Sequence, residues 1–447
     1  MKKLLTSSLL ILIISLPVLS YGQADAYSFT LKQSLAFAMN NSIDIQKAIL
    51  DQKQADYVVK EVKGTGLPQV TGNGQFQNFP NIPTQLLPGE VLGQPGTQIP
   101  VQFGTSHNVS GGFEASQLLY NQSFFTGLKA AKTSEDLYRL LKISTEEDVI
   151  YQVTSAFYQT LELQAQIEAM ESNLKKLEQL EGLMKVQYEN DIVTKTDYNR
   201  LRVNKSNLST QLQALRNGLE QQKNYLKLII GMPISNSIEL IEDENLEDID
   251  LSSLQLQKNQ STSTQVLEKQ RELNILNKKN IQAGYYPTLV AFGQQTWQAQ
   301  RNEFNFFDEG QPWFQQTIIG VQLQIPIFDG FQKRNKVQQT LIDIKKVELD
   351  MVNANRAEET EAANAKEQLV NGLKSVEVQR ENKELAKEVY DQTNELYTQN
   401  VSTLSDLLDA ENALREAQVN YFREVLKFRK AELDLLKSQG QLAQLSK

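Results

Sequence analysis

Apolar residues recur along this chain in two rhythms. Leu163, Ile167, Met170, Leu174, Leu177 and Met184 alternate steps of four and three, with the polar Glu181 filling one slot. Leu201, Leu208, Leu212, Leu215, Leu219 and Leu226 keep the same rhythm, with Lys205 and Gln222 filling in. A leaner version runs through Leu385, Val389 and Leu396, then Leu407, Leu414, Tyr421, Val425, Phe428 and Leu435. This spacing is that of a coiled-coil seam. No proline lies between Pro100 and Pro233 or after Pro326, and proline inside a helix costs about 3 kcal/mol, so these gaps leave room for continuous helices. Runs of about 68 residues, 120 to 188 and 328 to 397, would each span roughly 100 Å. Each is broken at a polar, β-branched stretch: Asp191, Ile192, Val193 and Thr194 in one, Asn400, Val401, Ser402 and Thr403 in the other. Thr194 and either Ser402 or Thr403 are candidate N-caps for a returning helix, so each run predicts a long helical hairpin.

The second rhythm has period two. Val70, Gly72, Gly74 and Phe76 alternate with Gln69, Thr71, Asn73, Gln75 and Gln77. Val109, Gly111, Phe113 and Ala115 alternate with Asn108, Ser110, Gly112 and Glu114. Leu289, Ala291, Gly293, Trp297 and Ala299 share a phase, and 319 to 327 alternates Ile, Val, Leu, Ile and Ile with Gly320, Gln322 and Gln324. Alternation predicts strands, and about ten residues with one apolar and one polar face is what a membrane-spanning β-strand requires. The loop joining the first pair, about 78 to 105, carries five of the eleven prolines and is expected to be irregular. The second loop carries Phe304, Phe306, Phe307 and Trp313, which suit either a headgroup girdle or a cluster within the loop.

The two rhythms come in the same order twice. Pro68 to Pro287 and Ser42 to Ser261 are each 219 residues apart, and Asp197 to Asp406 is 209. A fixed period of this kind marks a duplicated structural unit. The expected organisation is a signal peptide over 1–22, then a first repeat over 23–230 with strands at 66–79 and 105–119 and a hairpin over 122–230. A solvated acidic linker with a short helix follows over 231–260. The second repeat, 261–440, holds a helix, strands at 287–300 and 316–328 and a hairpin over 330–440, before a tail over 441–447.

Charge and chemistry narrow the function. Lys2 and Lys3, an apolar core from Leu4 to Leu19 and the small exit at Ser20 to Gly22 read as an export signal. Without it, 43 basic residues face 54 acidic ones, a net charge of −11, which disfavours a nucleic-acid partner. There is no cysteine and one histidine, His107, within a predicted strand and expected to be a wall residue. No phosphate-binding glycine loop or metal-spaced cluster is present, so the chain offers little to nucleophilic or zinc chemistry, and we expect neither enzyme activity nor a cofactor or metal.

Four strands cannot seal a membrane barrel, because an open edge in lipid leaves amides unpaired. Two copies would give eight strands and a filled interior; three would give twelve, with a water-filled lumen facing the Gln, Asn, Ser and Thr side chains. The fold class expected is therefore mostly α with membrane β: long antiparallel helical hairpins forming an α-barrel, and four strands per chain in a shared barrel.

Two stretches also resemble the TolC-type outer-membrane efflux protein family. One runs from Phe29 through Leu31, Ser34, Leu35 and Ala38 to Asn41, with Ser42 where proline is usual. The other, more specific, runs Leu407, Leu408, Asp409, Ala410, Glu411, Asn412 and Leu414, then Ala417 and Tyr421. The resemblance covers essentially the whole mature chain. It implies a homotrimer with a 12-stranded barrel in outer-membrane lipid and a periplasmic α-barrel, working with a periplasmic adaptor protein and an inner-membrane RND or ABC pump. It also implies a gate at the periplasmic aperture. Asp406 and Asp409 resemble the carboxylates that ring the constriction, six acids in three copies, cation-selective and prone to raised pKa. Tyr397 and Asp197 resemble partners in the closing network. Ser402 stands where some members have arginine and Asn400 where glycine is common. The adaptor would dock on the tips, Asp191 to Thr194 and Asn400 to Thr403. The competing reading is an adaptor-like periplasmic scaffold, which would show one hairpin and no lipid-facing strands.

Overall fold

The computed structural model describes residues 26–93, 95–241, 261–399 and 401–446. The signal segment, Asn400 and most of the acidic linker lie outside the described residues. Contacts divide the chain into two compact units. One gathers described residues from 26–38, 153–241 and 382–423, and the other those from 39–152, 261–381 and 424–446.

The second unit holds the membrane-type sheet. Strands β2 (Gln69–Asn78), β5 (His107–Tyr120), β7 (Thr288–Arg301) and β8 (Phe314–Gln324) pair antiparallel in the order β2-β5-β7-β8. The strands numbered between them are β3 (Thr84–Pro88), β4 (Gln98–Gln102) and β6 (Ser237–Leu240), after β1 (Ala26–Phe29) at the start of the chain. Register puts like with like across the large sheet. Val70 faces Ala115, Ala115 faces Gly293, and Gly293 faces Ile319 on the apolar side. Asn73, Gly112, Thr296 and Gln316 form a row on the polar side. Because side chains alternate with period two, this register gives the sheet two faces, although Phe292 and Ile318 fall on the polar side and Gln295 and Thr317 on the apolar one. Among the described residues, both outer edges, β2 and β8, are unpaired. Aromatic rings cover glycine gaps: the Phe292 ring lies where a Cβ on Gly320 would stand, about 2.9 Å away, a device that supports a strand lacking side chains of its own.

The first loop departs from expectation. Instead of an irregular segment, β3 and β4 form an antiparallel hairpin around a 3-10 turn at Gly89–Leu92. Pro88 and Pro100 are accommodated because each strand of a two-stranded ribbon has a free edge, where a missing N–H loses no ladder bond. β8 stops at Gln324, short of the expected 328, since Pro326 cannot continue the ladder. The second loop packs its own aromatics. Phe306 is buried between Phe304 and Trp313, Trp313 Nε1 donates to the Phe306 carbonyl at 3.3 Å, and Phe76 stacks on His107.

Among the described residues there are seven α-helices: α1 (Leu31–Asn41), α2 (Ile43–Gly64), α3 (Gln122–Glu189), α4 (Lys195–Ile230), α5 (Thr262–Ala283), α6 (Gln332–Thr398) and α7 (Leu404–Ser438). The duplication is plain in their lengths: α3 and α6 have 68 and 67 residues, α4 and α7 have 36 and 35. None of the described helices is long and apolar enough to cross a membrane. Within 231–260, expected as linker and short helix, residues 237–240 form β6, which pairs parallel with β1; the alternation of buried Ile238 and Leu240 with exposed neighbours suits a strand.

In the first unit, Ile167, Met170, Leu177 and Met184 of α3 pack on Leu201, Leu208 and Leu212 of α4 and on Leu404 and Leu408 of α7. The expected α7 seam is buried throughout, from Leu407 to Leu435. The α6 seam is not where it was expected. Leu385, Val389 and Leu396 are 52, 54 and 43% exposed, whereas Leu369, Val376 and Tyr390 are buried. The buried heptad places Lys383 in one of its slots, with Nζ 4.2 Å from the centre of the Tyr421 ring. That charge masks the true face, and Leu385, two residues on, lies on another.

Candidate functional site

The two hairpin turns are built alike. At the first, Asp191 takes a left-handed conformation (φ 58°) that lets Ile192 N reach back to the Gln187 carbonyl at 2.9 Å. At the second, Val401 N reaches the Leu396 carbonyl at the same 2.9 Å, and Ser402 N reaches it at 3.3 Å. These bonds satisfy carbonyls orphaned at a helix end.

The returning helices both start with a capping box. Thr194 accepts from Asp197 N at 3.1 Å, and its hydroxyl donates to Asp197 Oδ2 at 2.7 Å. Thr403 accepts from Asp406 N at 3.2 Å, while its own N–H and hydroxyl donate to Asp406 Oδ2 at 3.0 and 2.7 Å. Ser402 Oγ adds a longer bond at 3.3 Å. Each box ties the threonine to the acid three residues on, which orders the first turn. Thr403, not Ser402, is the second N-cap. Hydrogen bonds from the Thr403 side chain and backbone hold Asp406 below its usual carboxylate range, with Ser402 adding to the effect. The rise expected from crowding three copies is opposed within each chain by these donors. Asp409 is exposed on the next turn of α7.

Tyr397 and Asp197 come together from different repeats. Tyr397 is half-buried against the packed leucines and Tyr390, and burial raises its pKa, with the Asp197 charge raising it further. Val193 packs on the same core, whereas Ile192 and Val401 are each 69% exposed. So the turns present one apolar side chain apiece to their surroundings and hold their acids in caps.

One residue escaped the sequence reading. Glu411 on α7 is 2% exposed, and neither carboxylate oxygen accepts a well-formed hydrogen bond from the described residues. Burial raises its pKa, opposed by Arg415, Asn204 and Lys176, and burial also raises the pKa of Tyr390 on α6, with the Glu411 charge raising it further. Lys176 caps the Tyr390 ring at 4.6 Å. A glutamate in a helix ordinarily reads as solvated; only its place in the seven-residue step from Leu404 points inward. Among the described residues, no group of His, Cys, Asp and Glu is arranged to hold a metal ion.

In chain order, each of two long helical hairpins follows a pair of strands of the two-faced sheet. Residues 258–441 match the profile of the outer membrane efflux protein family. The fold matches that of the outer-membrane protein VceC from Vibrio cholerae, with TM-score 0.72, 14% identity, and 92% of this chain and 96% of that one covered. It also matches the Campylobacter jejuni CmeC outer membrane channel, with TM-score 0.73, 14% identity and coverage of 92% and 85%. The open state of the Neisseria gonorrhoeae MtrE outer membrane channel matches with TM-score 0.68, 16% identity and coverage of 92% and 88%. No curated protein matches in sequence. The resemblance to TolC-type outer-membrane efflux proteins read from the Phe29 and Leu407 stretches is thus borne out, in profile over the second repeat and in fold over nearly all of the chain.

Proposed function

We propose that this chain is the outer-membrane channel-tunnel of a tripartite efflux or type I secretion system, passively conducting substrates from the periplasmic side to the exterior. The observation that carries the reading is the four-stranded sheet: one face apolar, the other polar, both edges open. In lipid those edges need partners, and sister copies supply them. Three copies make a twelve-stranded barrel, and the helical hairpins continue the conduit into the periplasm. A periplasmic adaptor would dock on the tips, Asp191 to Thr194 and Asn400 to Thr403, where Ile192 and Val401 offer apolar contact, and an RND or ABC pump would load the tunnel. The scaffold alternative accounts for neither the second hairpin nor the amphipathic sheet.

Asp406, Asp409, Tyr397, Asp197 and Ser402 are proposed as the gate. In planar bilayers, detergent-purified protein is expected to conduct with a weak cation preference and to be blocked by trivalent cations. The double variant Asp406→Asn, Asp409→Asn should lose most of that block. Unchanged block would remove the gate assignment; absence of any conductance would remove the channel reading.

A further inference from the structure

The polar face of the sheet is uncharged except at one place. Its side chains include Thr71, Asn73, Gln294, Thr296 and Gln298, and Glu114 is its one ionisable residue. Glu114 lies near the middle of β5, paired with Thr71 on β2 and Gln294 on β7. Two further residues of the four strands with basic side chains, His107 and Arg301, face each other at a strand end and on the opposite face. Glu114 is exposed and enters no ion pair among the described residues. A lone carboxylate at mid-depth of a membrane sheet is disfavoured against lipid and tolerated facing water.

We infer that Glu114 sets the ion preference of the barrel: three copies form a ring of carboxylates at mid-depth in an otherwise neutral lumen. This rests on the channel reading above. The ring concentrates cations and excludes anions at its level of the membrane segment, independently of the acids at the hairpin tips. Elsewhere on this face lumenal cargo would meet uncharged side chains, mostly Gln, Asn, Ser and Thr with Val290, Phe292 and Ile318 among them, so cationic solutes gain their one electrostatic contact in the barrel at this level.

The test uses the absence of cysteine in the native chain. Glu114→Cys is reconstituted in planar bilayers and the cation-to-anion permeability ratio read from reversal potentials. The ratio is expected to fall roughly threefold at ~10 mM salt, where the Debye length is ~30 Å, and to differ little at ~1 M, where it is ~3 Å. A sulfonate-bearing methanethiosulfonate added from the aqueous side should restore it, and an ammonium-bearing one should depress it further. Glu114→Gln should match the unmodified cysteine variant. Trimeric channels whose selectivity ignores both the substitution and the reagents would overturn the role of Glu114 while leaving the channel intact. A parent protein that carries no current would remove the channel reading itself.

Discussion

At the scale of single residues, the acids of this chain divide by environment. Asp197 and Asp406 are held by caps, and the lowered pKa of Asp406 keeps it ionised into moderately acidic solution. Glu411 is the opposite case: buried, short of donors and raised. A carboxyl with a raised folded-state pKa favours the fold below its unfolded value, and that contribution is lost as pH climbs through the folded value. The neutral variant Glu411→Gln should therefore gain thermal stability relative to the parent at pH 7.5, and the gain should shrink towards pH 4. Melting curves at the two pH values check this; a pH-independent difference would place the effect in packing. The caps were legible in the sequence as Thr194 at one turn and as Ser402 or Thr403 at the other, where the structure puts the cap on Thr403. The burial of Glu411 was not, because it depends on Lys176, Asn204 and Tyr390 arriving from three other helices.

At the scale of elements, the sequence showed more than it usually does. Helix lengths followed from the proline gaps, and strand faces from alternation. The failures share a cause: a pattern was trusted where a local feature disguised it. Lys383 hid the buried face of α6, and five prolines hid the β3–β4 hairpin, although a two-stranded ribbon has edges to spare. The displaced α6 stripe has a consequence. Leu385, Val389 and Leu396 form an apolar row about half exposed in one chain, which in the proposed trimer would be a surface for the neighbouring copy. Leu385→Ser with Val389→Ser should leave the helix content of the protein unchanged by circular dichroism while weakening the trimer, at about 1 kcal/mol per half-exposed side chain. Trimers as heat-resistant as the parent's on a denaturing gel would mean that the row faces water in the assembly.

At the scale of the molecule, the sheet order makes the assembly testable. In one chain β2 and β8 are separated by β5 and β7, three strand spacings or about 14 Å, beyond the reach of a disulfide. Around a closed barrel the same two strands are neighbours between copies. Because closure of a tilted barrel staggers the register between copies, Asn73→Cys is combined in turn with Gln316→Cys, Ile318→Cys, Gln322→Cys and Gln324→Cys along β8; for at least one of these pairs a thiol crosslinker of about 8 Å should link three chains into a ladder ending at the trimer, and monomers bridged internally should be absent. Each single-cysteine variant should yield at most dimers. Internal bridging would mean that one chain curls upon itself.

The matching lengths of α3 and α6, and of α4 and α7, each pair within one residue, restrict how such a conduit can be resized. Excising one heptad from a single rod withdraws its end by about 10 Å and parts Tyr397 from Asp197. A shorter tunnel with a working mouth thus requires four matched excisions, one per rod, and duplication of an ancestral hairpin would have met that condition from the outset.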